Sequence, residues 1–155
     1  MLFRSVAAIG VLAENAEMLA RAHVPAVIDH YGLHGSTTPE SDEGRRLLDL
    51  LRLPHVWIKL SAPYRSGGDA LATRPDAAWL AAILAIAPNR CVWGSDWPHT
   101  ALHEQQKGPA VLAPYRALSY AQVLDDFLAA MPTAELAGRI MADNAARLYD
   151  FAASD

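Results

Sequence analysis

The sequence predicts an α/β fold built on a parallel β-sheet with helices on both faces. Three short apolar runs, residues 26–30, 56–61 and 90–95, are rich in Val, Ile, Leu and Trp and end at turn-forming residues. They lack the alternation of half-exposed strands, which is typical of strands buried on both faces of a parallel sheet. Helical patterns separate the runs at intervals of about 30 to 35 residues, and such alternation favours right-handed βαβ crossovers.

The first half of the chain shows these elements in order. A weaker strand candidate at residues 6–12, diluted by Ala and Gly, precedes a helix predicted at 14–23. A second helix is predicted at 43–53, where acidic residues in the first turn suit the helix dipole. A third is predicted at 75–87, with Pro75 in a first turn that tolerates proline.

The second half begins with a long loop after the last apolar run. Residues 96–118 contain several prolines and no periodic pattern, so this segment is either a lid or substrate-binding element, or a surface excursion. Helices are then predicted at 119–130 and 133–143, since Ser119 and Thr133 suit N-cap positions. A short turn at 144–149 closes the pattern.

Length and composition predict one folded domain spanning residues 1–155. Hydrophobic residues make up 52% of the chain and charged residues 19%, which excludes an intrinsically disordered protein. The formal net charge is −4, and no segment concentrates Lys and Arg among aromatic residues. These features argue against nucleic acid as a partner.

The thiol content and the apolar runs bear on the compartment. Cys91 is the only cysteine, so no disulfide can form within the chain, and its apolar surroundings indicate a buried, inert thiol. No apolar run approaches the ~20 residues of a membrane helix, and the first residues do not resemble a signal peptide. We therefore expect a cytoplasmic protein without membrane association.

Three side chains follow the predicted strands and could share one edge of the sheet. His30 ends the first strand, Arg65 follows the second, and Asp96 follows the third. Asp96 could accept a proton from water, His30 could polarise a carbonyl group or ligate a metal, and Arg65 could bind a carboxylate with paired donors. Together they predict hydrolysis of an ester-like bond in a small anionic substrate.

Each candidate has a structural alternative. Asp96 could cap the following turn, His30 could be a hydrogen-bonded turn residue, and Arg65 could be solvated in its loop. Lys59 lies within an apolar strand, so we expect it to pair with a buried carboxylate, for which Asp29 is one candidate.

The other histidines divide by position. His34, His99 and His103 lie in predicted loops, where a solvated side chain is the usual state. His99 is the one of the three expected to reach the site, because it follows Asp96 by three residues. His23 and His55 precede strands, so we expect them at the opposite edge, in structural roles.

Four motifs together resemble one known family. They are Val-Ile-Asp-His-Tyr-Gly at 27–32, the segment 56–65 ending Ser-Ala-Pro-Tyr-Arg, Val-Trp-Gly-Ser-Asp-Trp-Pro-His at 92–99, and Asn-Ala-Ala-Arg-Leu-Tyr at 144–149. They are similar to motifs of the amidohydrolase-related family, in particular the branch that contains 2-pyrone-4,6-dicarboxylate lactonase and sugar lactonases. The family fold is a (β/α)8 TIM barrel of roughly twice this length, so the resemblance implies that this chain corresponds to strands five to eight, the C-terminal half.

The resemblance also implies roles for the three candidates. Asp96 matches the last-strand aspartate that activates water in the metal-free lactonases, His30 matches the histidine that polarises the scissile carbonyl, and Arg65 matches the arginine that contacts substrate. Ser61 and Tyr64 lie beside them and receive no role. The function implied is the opening of a lactone or similar cyclic ester.

Two alternatives stay open at this point. The family's first-strand His-x-His motif does not occur in this sequence, so no cofactor is expected; if a divalent metal such as zinc binds, His30 and Asp96 are the predicted ligands. A tight zinc site normally uses three protein ligands, which disfavours a metal-dependent decarboxylase of the same family. The other alternative is a non-catalytic half-barrel that forms a homo-oligomer or needs a complementary half, since four strands cannot close a barrel.

Overall fold

The computed structural model describes residues 3–5, 7–101, 108 and 110–151 and contains one four-stranded parallel sheet. The strands lie in the sheet in the order in which they occur in the chain. Each strand pairs in parallel with its sequence neighbour, so each connection is a crossover. The strands are β1 (Phe3–Ser5), β2 (Ala26–Ile28), β3 (Val56–Ser61) and β4 (Cys91–Gly94).

Helices and short helical turns connect and follow the strands. They are α1 (Ile9–Glu14), α2 (Ala16–Ala20), α3 (Asp42–Leu50), α4 (Pro63–Ser66), α5 (Ala77–Ile86), α6 (Tyr120–Ala130), α7 (Ala134–Gly138) and α8 (Asn144–Tyr149), with a π-helical turn at Arg139–Asp143 and 3-10 turns at His30–Gly32 and Pro88–Arg90.

Side-chain caps begin the longer helices. Ser41 accepts a hydrogen bond from the Gly44 N–H at the start of α3, and Asp76 accepts one from the Trp79 N–H at the start of α5. Gly44 is required at its position because a Cβ there would overlap the Thr38 carbonyl oxygen. Such caps satisfy backbone donors that the first helical turn leaves free.

The main core lies between the sheet and the helices that cover its outer face. Alternate strand side chains, including Ile28, Ile58 and Leu60, pack there against apolar residues of α1, α3 and α5. Burial of apolar surface is the largest favourable contribution to folding, so this packing holds the strands, and with them their ends, in fixed positions. The helical contribution comes from Ile9, Leu12, Leu47, Leu50, Trp79, Leu80 and Ile83.

The opposite face of the sheet carries a smaller apolar cluster and an ion pair. Val27, Trp57 and Val92 form the cluster, and Ala145 and Leu148 of α8 pack against it. Farther along the same face, Lys59 Nζ lies 2.7 Å from Asp29 Oδ1. Asp29 is fully buried, so the pairing expected for Lys59 is confirmed.

The predicted strands at 26–30, 56–61 and 90–95 are confirmed in place and type, whereas the strand at 6–12 is wrong. Most of that segment is α1, and β1 lies earlier, at Phe3–Ser5. Ile9 and Leu12 are both buried, a spacing of three that suits one face of a helix.

The predicted helices are confirmed with changed bounds. The helix at 14–23 is confirmed as the shorter α2, which follows α1 after Asn15, and the helix at 75–87 begins only at Ala77, after its Asp76 cap. The short turn predicted at 144–149 is wrong, because this segment is the helix α8. Ser119 and Thr133 act as caps, as expected. In the predicted loop, residues 102–107 and 109 lie outside the described residues.

Candidate active site

The carboxyl ends of the strands bring the predicted residues together at one edge. His30 follows β2, Ser61 ends β3, and Asp96 lies just beyond β4, while α4 carries Tyr64 and Arg65 directly after β3. Because the strands are parallel, these ends meet at the same edge of the sheet, which is the catalytic edge of parallel α/β folds. The structure thus brings His30, Arg65 and Asp96 together, as the sequence predicted.

The backbone at this edge adopts left-handed conformations. The φ angles are 54° at His30, 49° at Ala62, 60° at Asp96 and 59° at His99. Non-glycine residues avoid this region, and its occurrence is concentrated at functional sites. Each turn redirects the chain as it leaves a strand, so the side chains that follow gather over the strand ends.

One oxygen of Asp96 is held by two donors. The Tyr64 hydroxyl donates a hydrogen bond to Oδ2 at 2.6 Å, and Arg65 Nε donates to the same oxygen at 2.7 Å. Arg65 is fixed in turn, because its Nη2 donates to Oγ1 and the carbonyl oxygen of Thr100. This arrangement fixes the orientation of the carboxylate.

The same contacts determine the charge of Asp96. Burial alone would raise the pKa of this carboxyl group, but hydrogen bonds from Tyr64 and Arg65 and the nearby charges of His30 and Arg65 lower it overall. The group is therefore ionised near neutral pH and can accept a proton.

The other oxygen of Asp96 faces His30. Asp96 Oδ1 lies 3.8 Å from His30 Nε2, too far for a direct hydrogen bond. The opposite ring nitrogen, Nδ1, lies 2.9 Å from Ser61 Oγ, and the His30 carbonyl oxygen accepts a hydrogen bond from Ser66. Burial lowers the pKa of His30 although Asp96 and Asp29 act to raise it, so the ring is neutral near pH 7.

Two positive groups lie close to the Tyr64 ring. The Arg116 guanidinium carbon lies 4.8 Å from the centre of the Tyr64 ring, and the Arg65 guanidinium carbon lies 5.6 Å from it. Sequence reasoning gave no role to Tyr64 and did not single out Arg116. For Tyr64, its place one residue before Arg65 was the available signal. For Arg116, the only signal was its place in the loop at 96–118, for which a substrate-binding role was one of two alternatives.

His99 joins the site through Tyr64. Its Nδ1 lies 3.1 Å from the Tyr64 hydroxyl oxygen, and the residue is only 3% exposed. His99 thus reaches the site, as its position three residues after Asp96 predicted, and it is buried and not solvated. His34 is also buried and stacks on Trp79, so the solvated state usual for a loop histidine is wrong for both. His103 lies outside the described residues.

Cys91 is fully buried, and burial raises the pKa of its thiol to about 12. This confirms the inert thiol expected from the sequence.

Two side chains of this site could ligate a metal ion. Within the described ranges, no group of three or more His, Cys, Asp or Glu side chains is arranged to hold a metal ion. His30 Nε2 and Asp96 Oδ1, at 3.8 Å, could both reach one zinc ion, since two such ligands of one ion lie at most about 4 Å apart. The contact of His30 Nδ1 with Ser61 is of the kind that orients a ligating histidine.

Comparison with known families accounts for this arrangement. The model of the Amidohydrolase family matches residues 4–151, a range that contains every site residue described above. The chain belongs to the amidohydrolase family. The resemblance seen in the sequence motifs is therefore confirmed.

Two curated relatives show the branch of the family. The 4-sulfomuconolactone hydrolase of Hydrogenophaga intermedia is 30% identical over 86% of this chain and 42% of its own length. The 2-pyrone-4,6-dicarboxylate hydrolase of Comamonas testosteroni is 30% identical over 79% of this chain and 40% of its own length. This amidohydrolase chain thus spans less than half the length of these relatives, both of which are named as hydrolases.

Solved structures show the same fold and the same difference in length. An Agrobacterium tumefaciens protein, solved in its apo form, superposes with a TM-score of 0.72 at 22% identity, over 99% of this chain and 51% of its own. A Burkholderia multivorans amidohydrolase with bound zinc gives a TM-score of 0.62 at 23% identity, over 96% of this chain and 52% of its own. The amidohydrolase chain therefore has the α/β architecture of about half of a TIM-barrel neighbour. No described helix has the length and apolarity needed to span a membrane.

Proposed function

We propose that this chain is the C-terminal half, strands five to eight, of an amidohydrolase-type lactonase and that Asp96 activates the attacking water. The observation that carries the proposal is the asymmetry of the Asp96 carboxylate. Oδ2 is occupied by Tyr64 and Arg65, whereas Oδ1 faces His30 across 3.8 Å. A water molecule placed between them would contact an ionised base on one side and an imidazole on the other.

The reaction then follows from these groups. Asp96 Oδ1 takes a proton from water as the water oxygen bonds to the lactone carbonyl carbon. The carbonyl oxygen becomes an oxyanion, which a hydrogen bond from His30 would stabilise. Collapse of the intermediate breaks the bond between the carbonyl carbon and the ring oxygen, and Asp96 returns its proton to that oxygen.

The Ser61 contact determines which role His30 can play. If the Ser61 hydroxyl donates to Nδ1, the neutral ring carries its proton on Nε2 and can donate to a carbonyl oxygen. If Nδ1 instead donates to Ser61 Oγ, Nε2 presents a lone pair, which suits a metal. The metal-free lactonase needs the first arrangement.

The substrate class proposed is a small lactone that carries an anionic group. The guanidinium carbons of Arg65 and Arg116 lie 5.6 and 4.8 Å from the Tyr64 ring centre, and guanidinium groups bind planar anionic groups such as carboxylates through paired donors. The two relatives, by their names, act on a sulfonated and a dicarboxylated lactone.

The test compares lactone hydrolysis by the purified chain with that of Asp96→Asn. We expect the substitution to lower the rate by about 10²- to 10⁴-fold, the usual contribution of a general base. Asp125→Asn is the matched control, because Asp125 is exposed on α6. Equal rates for the wild type and Asp96→Asn would remove Asp96 from the mechanism.

A metal-dependent activity, such as decarboxylation, is the second candidate. The placement of His30 Nε2 and Asp96 Oδ1 at a distance that one ion can bridge favours it, and a bound ion would polarise a substrate oxygen. Titration with zinc should then yield one bound equivalent that His30→Ala abolishes. If no zinc binds, the metal-dependent activity is contradicted and the metal-free lactonase is the function that remains.

A separate proposal concerns the partner. Within the described part of the chain, β1 pairs only with β2 and β4 only with β3, so the backbone groups on the outer sides of these strands can accept further strands. We propose that these edges pair with a second copy or a complementary half. Light scattering that shows a stable monodisperse monomer would contradict this.

A further inference from the structure

The hydrogen bonds around Tyr64 determine the protonation state of His99. The Tyr64 hydroxyl lies 2.6 Å from Asp96 Oδ2 and 3.1 Å from His99 Nδ1. A hydroxyl group has one hydrogen to donate. An ionised carboxylate can only accept, so this hydrogen lies on the Asp96 side.

The contact with His99 must therefore run the other way. His99 Nδ1 carries a hydrogen and donates it to the Tyr64 oxygen, because two lone pairs would otherwise face each other at 3.1 Å. The opposite nitrogen, Nε2, is buried and has no hydrogen-bond partner among the residues that the structure describes. A proton there would leave a buried cation with an unsatisfied donor, which is more costly than a bare lone pair.

We propose that His99 is a positioning residue, a neutral Nδ1–H imidazole that directs the Tyr64 hydroxyl hydrogen onto Asp96 Oδ2. His99 does not touch the reacting atoms; it acts through Tyr64. The hydrogen bond that His99 donates polarises the Tyr64 hydroxyl group, and this polarisation strengthens the hydrogen bond from Tyr64 to Asp96 Oδ2. Oδ1 is thereby left as the oxygen available to water, so the inference rests on the proposed function of Asp96.

The surroundings of His99 agree with a neutral ring. Burial lowers its pKa, the nearby Asp96 charge acts to raise it, and the Arg65 charge lowers it further. The net result is a pKa below the ordinary histidine value, so His99 stays uncharged near pH 7.

The first test measures the tautomer by ¹⁵N NMR of the histidine side chains, with assignment by the loss of one signal set in His99→Asn. We expect His99 as the Nδ1–H form at pH 8. The Nε2–H form would overturn the proposal, because Nδ1 would then need the hydrogen that Asp96 receives.

The second test follows the titration of the Asp96 carboxyl carbon by ¹³C NMR. Tyr64→Phe should move its midpoint to higher pH, because the donated hydrogen is lost. His99→Leu should move it in the same direction by a smaller amount, and His99→Asn should restore it, since the asparagine amide places a donor near the Nδ1 position. Equal midpoints in the Leu and Asn variants would contradict a role for the donor.

Both measurements use the purified chain without substrate. A failure of lactone hydrolysis would therefore leave these results intact, and a failure of these results would leave Asp96 as a candidate base. If His99→Leu does not fold, the tautomer of the wild type and the Tyr64→Phe titration still decide the proposal.

Discussion

Asp96 Oδ1 lies 3.8 Å from His30 Nε2, so the two atoms face each other without forming a direct hydrogen bond. The remaining polar atoms of both side chains are engaged: Asp96 Oδ2 by Tyr64 and Arg65, and His30 Nδ1 by Ser61. These hydrogen bonds fix both side chains and leave Asp96 Oδ1 and His30 Nε2 free to contact the same bound molecule. Such preorganisation lets a base and an electrostatic stabiliser act together.

Arg65 was expected to bind a carboxylate of the substrate, and in the structure its Nε donates to the Asp96 carboxylate at 2.7 Å. Arg65→Gln removes a charged hydrogen bond between two side chains that are only 14% and 18% exposed, so we expect a loss of about 2 kcal/mol in the free energy of unfolding. The pKa of Asp96 should rise. Urea unfolding measures the first effect and carbon NMR the second.

The control for this change is Arg21→Gln. Arg21 pairs with Glu17, but the two side chains are 83% and 91% exposed, and exposed pairs of this kind contribute little. A stability loss for Arg65→Gln no larger than that of Arg21→Gln would show that the contact with Asp96 does not stabilise the fold.

Lys59 and Asp29 form a second buried pair, on the sheet face that bears the small apolar cluster. Lys59→Met leaves the fully buried Asp29 without this cation, and we expect a loss on the order of 3 kcal/mol. Adding Asp29→Asn should recover most of that loss, since the uncompensated charge is gone. A double variant as unstable as Lys59→Met would mean that packing of the lysine stem, and not charge, is the main contribution.

Much of this architecture is predictable because it depends on local sequence. The buried strands are recognisable in the sequence as unbroken apolar runs. Ser119 and Thr133 indicate where helices begin, because their side chains accept hydrogen bonds from backbone groups only three residues later. The placement of Asp96 and His30 at one edge then follows from the parallel order of β2, β3 and β4.

The features that escaped prediction depend on contacts between distant segments. Tyr64 contacts Asp96 two residues after Ala62 turns the chain in the left-handed region, a conformation that no glycine in the sequence signals. His99 and His34 are buried by groups elsewhere in the chain, so their loop positions were misleading. At residues 6–12, Ala and Gly hid the spacing of Ile9 and Leu12.

Asn144 connects α8 to the start of β4. Its side-chain amide is fully buried and donates to the Pro88 and Cys91 carbonyl oxygens at 3.0 and 2.8 Å. Asn144→Ala leaves both carbonyls without this donor, so we expect a loss of about 2 to 4 kcal/mol, read as a lower Tm. Asn15→Ala is the control, because the exposed Asn15 amide also donates to a backbone carbonyl; similar losses would contradict a special role for burial.

Stability should fall as the pH drops below the ordinary histidine value of 6.5, before most carboxylates titrate. Burial lowers the pKa values of His30, His34 and His99 in the folded chain. Between the folded and unfolded pKa values the unfolded chain binds more protons, so stability rises with pH across that window and is lost as the pH falls through it.

Urea unfolding between pH 8 and pH 5 measures this dependence, and His34→Phe isolates the contribution of one of the three histidines. Phenylalanine keeps the stacking on Trp79 but cannot be protonated, so the slope should decrease by up to about 1.4 kcal/mol per pH unit. A wild-type stability that stays constant from pH 8 to pH 5 would show that the buried imidazoles accept protons without cost, contrary to the burial that the structure assigns them.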